Sequence, residues 1–314
     1  MKPNLKTLFK NSWNFVWHHP FLWLFGFFAA FFANNEIHLI VASFQRINKW
    51  MNQLIVFESF QIHFQDILKT FNPLQFFNIK TNYHLILALI LSLLFLYVSF
   101  RSQISIILSV KNRHFKENLS FKKIWGKSKK FLWPVVGIYL IIFLLICGFF
   151  SLLSLSFSFQ VSIPFIFYVL FFIISGFFIS FISRFAICFI ILEKKKFFDS
   201  IKKGTMFFFK NWLTTLKISV YFCLITFLIG MGIFLISIGT AIPFILLVNL
   251  FLRLNFIIGF WLISILYAIL ILVFFLFLNS VFSAWQFSTW TSFFIKYHHS
   301  LGKEGEKMWI KSPF

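Results

Sequence analysis

Long apolar runs separated by short, strongly basic stretches make up most of the chain. A helix that crosses a membrane needs about 20 mainly apolar residues. Six segments answer to that pattern: Pro20–Ala33 with Phe15–His19 ahead of it, Tyr83–Val110, Trp133–Ser156, Ser162–Leu192, Leu213–Gly239 and Phe256–Ile295. They predict an all-α, polytopic transmembrane helical bundle. The first run is the shortest and follows Lys2, Lys6 and Lys10, as the core of a secretory signal would. No small-x-small cleavage pattern precedes Asn34, so it is expected to stay as a span. The last run would be about 60 Å long as one helix. Its polar end, with Asn279, Ser280, Ser283, Gln286, Ser288 and Thr289, is expected to extend into the cytoplasmic interface.

The basic residues set the expected orientation. Residues 1–19 hold three Lys or Arg, 111–130 eight, 193–211 six and 296–314 four. The alternate connections hold four in 34–82, none in 157–161 and one, Arg253, in 240–255. By the positive-inside rule this places both termini in the cytoplasm. The outer stretch 34–82 carries its own pattern: Ile40, Phe44, Ile47, Met51 and Leu54, continued by Phe60, Phe64, Ile67 and Phe71, form an apolar helical stripe. Gln45, Asn48, Lys49 and Gln53 fall on the other face, and Pro73 and Asn78 mark the way out toward the second span.

Three approaches to the membrane look alike. Phe9-Lys10-Asn11-Ser12-Trp13 precedes Trp23; Phe121-Lys122-Lys123-Ile124-Trp125 precedes Trp133; Ile201-Lys202-Lys203 precedes Lys210-Asn211-Trp212. Lys seeks lipid phosphate and the indole ring sits at the headgroup boundary. Three interfacial amphipathic helices are therefore expected on the cytoplasmic side, with Trp13, Trp23, Trp125, Trp133 and Trp212 as anchors. The exits recur too: Arg101 stands ten residues before Lys111, Arg184 ten before Lys194, and Gln286 ten before Lys296. The chain divides as one membrane domain, 1–314, into three hairpins: 1–110 with the long outer loop 34–82, 111–192, and 193–314 with the C-terminal tail.

The stretch Phe9-Lys10-Asn11-Ser12-Trp13-Asn14-Phe15-Val16-Trp17-His18-His19-Pro20-Phe21-Leu22-Trp23-Leu24-Phe25-Gly26 resembles the start of a group of bacterial six-span proteins. That group takes its name from the membrane domain attached to some glycerophosphodiester phosphodiesterases. Leu192-Glu193, followed by Ser200-Ile201-Lys202-Lys203 and Trp212, is similar to the group's middle segment. The resemblance implies a multi-pass domain of the bacterial inner, plasma membrane. The catalytic barrel of those enzymes needs several acids and histidines around a metal, and this chain has no place for it.

Composition narrows the partners. Only 12% of the residues are charged against 60% hydrophobic, at a mean hydropathy of +0.88; a soluble domain carries about 25% charged residues. The net charge of +21 would point to nucleic acid in a soluble chain, but here it is confined to the ends of apolar runs and points to anionic phospholipid. The 54 Phe residues fit the codon bias of an AT-rich genome, which a lipid-facing surface tolerates. Cys147, Cys188 and Cys223 lie in apolar runs and form neither a disulfide framework nor a zinc spacing.

Chemistry is sparse. The acids Glu36, Glu58, Asp66, Glu117, Glu193, Asp199, Glu304 and Glu306 are scattered, and there is no phosphate loop or His-Glu-x-x-His motif. No catalytic, metal-binding or cofactor-binding residue is assigned. His18-His19 and His298-His299 are read as interfacial, because neighbours on a helix point about 100° apart. Arg101 and Arg184 lie inside apolar runs, where charge is costly. Counting about 20 residues inward from Tyr83 and Ser162 puts both near the inner boundary, where snorkelling or backbone carbonyls satisfy them. The alternative is an anion or lipid site, joined by Lys122, Lys123, Lys202 and Lys203. The expected function is a non-enzymatic membrane protein that engages anionic lipid or a membrane or cytoplasmic partner; a transporter or channel for a small or anionic solute is the alternative. Homo-oligomerisation stays open.

Overall fold

The computed structural model describes residues 5–33, 83–114, 120–157, 162–253 and 257–300. Every element among them is helical: α1 Leu5–Trp17, α2 Phe21–Ala33, α3 Tyr83–His114, α4 Phe121–Ser128, α5 Leu132–Phe157, α6 Ser162–Glu193, α7 Phe197–Lys210, α8 Trp212–Arg253 and α9 Ile257–Ser300. A 3-10 turn, Lys129–Phe131, joins α4 to α5. Five helices among the described residues are long and apolar enough to cross a membrane: α3, α4 running into α5, α6, α8 and α9. The protein is in that sense a multi-pass membrane protein. The amphipathic stripe expected in 34–82 lies outside the described residues.

Two expected boundaries differ. Phe15–His19 does not extend the first apolar run; α1 closes at Trp17 and α2, of 13 residues, starts at Phe21. His18 Nδ1 donates to Asn14 O at 2.7 Å and His19 Nδ1 to Phe15 O at 2.9 Å, so the side chains take up the last carbonyls of α1. Pro20 follows, which favours a new helix start over continuation. The expected connection 240–255 is helical as far as Arg253, with Pro243 inside α8. Pro243 removes the backbone donor that Gly239 O would accept, while Tyr267 of the neighbouring α9 stacks on Phe244 at 4.3 Å and its hydroxyl donates to Ser237 O at 3.3 Å. Such breaks are tolerated where side-chain hydroxyls and neighbouring helices compensate.

The returning helices α3, α6 and α9 meet one another, and the leading helices pack around them. α2 wedges between α9 and α3, α5 lies on α6 and α3, and α8 lies on α9. The short helices follow one rule: α1 packs on α9, α4 on α3 and α7 on α6. Two close approaches set this geometry. A Cβ on Gly26 of α2 would collide with Ser280 O and Ala284 of α9, while Ser280 Oγ donates to Trp23 O. A Cβ on Gly204 of α7 would lie 2.9 Å from Ala186 N of α6. Small residues at such crossings let backbones approach without a water-driven hydrophobic force.

Each long helix changes character along its length. Ser99–Val110 of α3, Ser180–Leu192 of α6 and Ser280–Ile295 of α9 are buried almost throughout, whereas Leu87–Leu94 and Ile258–Phe277 are largely exposed and apolar and α6 exposes Phe171, Ile174 and Phe178. The buried segments form a packed half at the end where the basic helices sit. The exposed segments form an open half.

Candidate functional site

The three short helices assemble the face of the packed half. In α1, Leu8, Phe9, Ser12, Phe15 and Val16 are buried while Lys10, Trp13 and Trp17 are exposed. In α4, Ile124 and Ser128 face inward and Phe121, Lys122, Lys123 and Lys127 outward. In α7, Ser200, Gly204, Phe207 and Phe208 face α6, and Phe198, Lys202, Lys203, Met206 and Phe209 are exposed. This is the i, i+3, i+4 geometry of an amphipathic helix, with lysines and aromatics sharing the outer face.

The five expected Trp anchors divide. Trp13, Trp133 and Trp212 are exposed, Trp133 at 78%. Trp23 and Trp125 are half-buried and serve packing. Trp23 Nε1 donates to Val16 O at 3.0 Å, with its ring beside Trp17 and Phe277. Trp125 stacks with Phe25 and Phe121 within 7° of parallel.

Both intramembrane arginines are 8% exposed, and their surroundings differ. Arg101 clamps α4 to α3: Nε donates to Ser128 Oγ at 3.1 Å, Nη1 to Tyr97 OH at 3.0 Å and Nη2 to Trp125 O. Its guanidinium also lies 4.0 Å from the centre of the Trp125 ring. A planar fork stacked on indole uses what distinguishes Arg from Lys. Arg184 sits instead where four helices converge. It lies 5.4 Å from the Trp290 ring of α9, and its charge acts on Tyr139 of α5 and on Cys188, one turn along α6. Tyr139 OH donates to Gln103 Oε1 of α3 at 2.9 Å, and Cys188 faces Thr291. Buried Gln103, Arg184 and Trp290 and half-buried Tyr139 thus form a polar junction.

A second polar group is invisible in the linear order. Glu193, at the end of α6, meets His298 Nε2 of α9 at 2.9 Å and Lys203 Nζ of α7 at 3.7 Å. Lys111 Nζ of α3 donates to Leu192 O at 3.2 Å, and Arg113 Nη1 to Asn11 O of α1 at 2.8 Å. The basic ends of the long helices therefore tie α1, α3, α6, α7 and α9 together at one level, each cation meeting exposed carbonyls or an acid. Among the described residues, no group of three or more His, Cys, Asp or Glu is placed to hold a metal ion.

Several buried polar atoms among the described residues have no hydrogen-bond partner: the hydroxyls of Ser102, Ser105, Thr215, Ser283 and Ser288, Asn112 Nδ2, Gln286 Oε1 and Trp290 Nε1. A hydroxyl can turn to the carbonyl of its preceding turn. A Gln carbonyl oxygen and an indole N–H have no such recourse, and leaving each unmet costs about 1–3 kcal/mol.

No protein-family model, curated protein or solved structure matches the chain.

Proposed function

We propose that this is a non-enzymatic integral membrane protein of six spans, with both termini in the cytoplasm, that binds anionic phospholipid through α1, α4 and α7. The observation that carries the reading is the shared outer face of these helices: Lys10, Lys122, Lys123, Lys202 and Lys203 stand beside exposed Trp13, Phe121 and Phe209. Lys supplies about 1 kcal/mol each near an anionic surface, and the aromatics enter the headgroup layer. The six spans count α2 as the first, in agreement with the alternation of basic segments. The common docking rule of α1, α4 and α7 supports three related units, each a basic helix followed by a hairpin.

Co-flotation of the purified chain with vesicles tests the lipid reading. Binding should rise with phosphatidylglycerol content, fall with salt, and weaken when Lys122, Lys123, Lys202 and Lys203 are all changed to Gln. Equal retention of neutral and anionic lipids would sink it. Reporter fusions at both termini test the orientation.

A second reading, transport of a small anionic solute, draws on the Gln103–Tyr139–Arg184–Trp290 junction. Uptake of labelled anions into proteoliposomes, abolished by Arg184→Gln, would favour it.

A further inference from the structure

The unmet polar atoms are not spread evenly. On α8, Thr215, Ile218 and Phe222 form the buried stripe. Phe222 touches Phe282, Trp285 and Trp290 of α9, with ring centres 6.1, 5.2 and 6.2 Å away. At 100° per residue these three positions bracket Gln286, so it lies on the face of α9 that α8 covers, beside Trp290, whose ring also meets Phe181 and Phe185 of α6. Ser283 and Trp290 share that face of α9, one turn to either side of Gln286. The helices run antiparallel: Phe222 pairs with Trp285, and farther along Phe244 stacks on Tyr267 at 4.3 Å. Thr215 therefore lies level with the turn that holds Trp290. Arg184 approaches the same indole from α6. The seam thus offers Trp290 Nε1 and Thr215 Oγ1 as potential donors, Gln286 Oε1 as an acceptor, and one cation. These three neutral groups are buried, and neither Gln286 Oε1 nor Trp290 Nε1, which cannot turn to a helix carbonyl as the Thr215 hydroxyl can, has a hydrogen-bond partner.

We propose that the α8–α9 seam, with Arg184 at its side, binds one phosphate-bearing anion that also carries a hydroxyl. The phosphate oxygens accept from Trp290 Nε1, Thr215 and Arg184. The hydroxyl donates to Gln286 Oε1, a demand that a simple halide could not meet. Two sources share this chemistry: the headgroup of a hydroxylated anionic lipid, reached from the bilayer, and protonated inorganic phosphate. The site deepens the membrane reading above, on which it rests, but it uses none of the surface lysines.

Native mass spectrometry of the full chain, released from nanodiscs of phosphatidylglycerol or of phosphatidylcholine, tests it. One phosphatidylglycerol should survive activation that strips peripheral lipid, and no phosphatidylcholine should. Trp290→Phe keeps the ring but removes the donor, and Gln286→Leu removes the acceptor. Each should cut retention about tenfold, the size expected for one charge-assisted or buried hydrogen bond. Stabilisation of the detergent-solubilised chain by millimolar inorganic phosphate, lost in Trp290→Phe, would assign the site to the soluble source. Changing the four surface lysines to Gln should lower total anionic enrichment and leave the single bound species, which separates this site from the surface reading. Wild-type retention in both Trp290→Phe and Gln286→Leu, or no effect of either probe on the wild-type chain, would overturn the proposal.

Discussion

The two halves of the same helices follow opposite rules. In the packed half, buried positions include Ser99, Arg101, Ser102, Gln103, Ser105, Ser109 and Asn112 on α3, and Ser280, Ser283, Gln286, Ser288, Thr289 and Thr291 on α9. In the open half, most exposed positions are Leu, Ile, Phe and Val, from Leu87–Leu94 on α3 to Ile258–Phe277 on α9. A water-soluble protein puts polar groups outside and apolar ones within. Here polar side chains lie inside among a packed apolar core, while the apolar surface of the open half is left for lipid. The lesson is that lipid offers apolar side chains no reason to leave it, so cohesion comes from close packing and polar contacts. Those are concentrated where serines, glycines and arginines are available.

Core truncation should separate the halves most sharply. Phe185 packs on Phe207, Trp290 and Phe293. Phe185→Ala should cost about 3–5 kcal/mol of stability, while Leu266→Ala on the open half of α9 should be near neutral. Thermal unfolding in detergent reads both, and equal losses would erase the distinction. Next comes Gly26→Leu, which forces α2 off Ser280 and Ala284 and should cost about 2–3 kcal/mol. Gly230→Leu, where nothing lies within 4 Å, is its counterpart and should be silent.

Arg101→Ala should follow at about 2 kcal/mol, through lost charge-assisted bonds to Ser128, Tyr97 and Trp125 O. Arg101→Lys should rescue little, since an ammonium lacks the fork and stacks poorly. Limited trypsin cleavage at Lys127–Lys130 reports the release of α4. The smallest effect belongs to Glu193→Gln. It weakens the contacts to His298 and to the partly exposed Lys203, and should cost no more than about 1 kcal/mol. Faster hydrogen exchange across 194–203 and at the His298 end of α9, with the rest of α9 unchanged, is the expected signature.

The spans were legible because apolar length is a local property. The runs Tyr83–Val110, Trp133–Ser156 and Ser162–Leu192 became α3, α5 and α6 with ends shifted by four residues or fewer. The three basic amphipathic helices were legible for a similar reason, since their periodicity and their Lys and Trp residues lie within a few turns. The continuation of α8 through Pro243 was not, because the helix is kept by apolar surroundings and a neighbouring helix that no local signal describes.

The sequence by itself determined which segments are apolar enough for a bilayer, where the basic helices lie, and that two arginines occur inside apolar runs. Tertiary structure decided what those arginines do. Arg101 and Arg184 stand in matching positions before a basic cluster, yet one is locked onto Trp125 and the other faces a four-helix junction. It also decided that Glu193 meets His298, 105 positions later in the chain, and that Gln286 and Trp290 lie under α8. Hydropathy is a sum over neighbours in sequence. The partner of a buried polar group is set by which helices cross and at what distance, and here small residues such as Gly26 and Gly204 set those crossings.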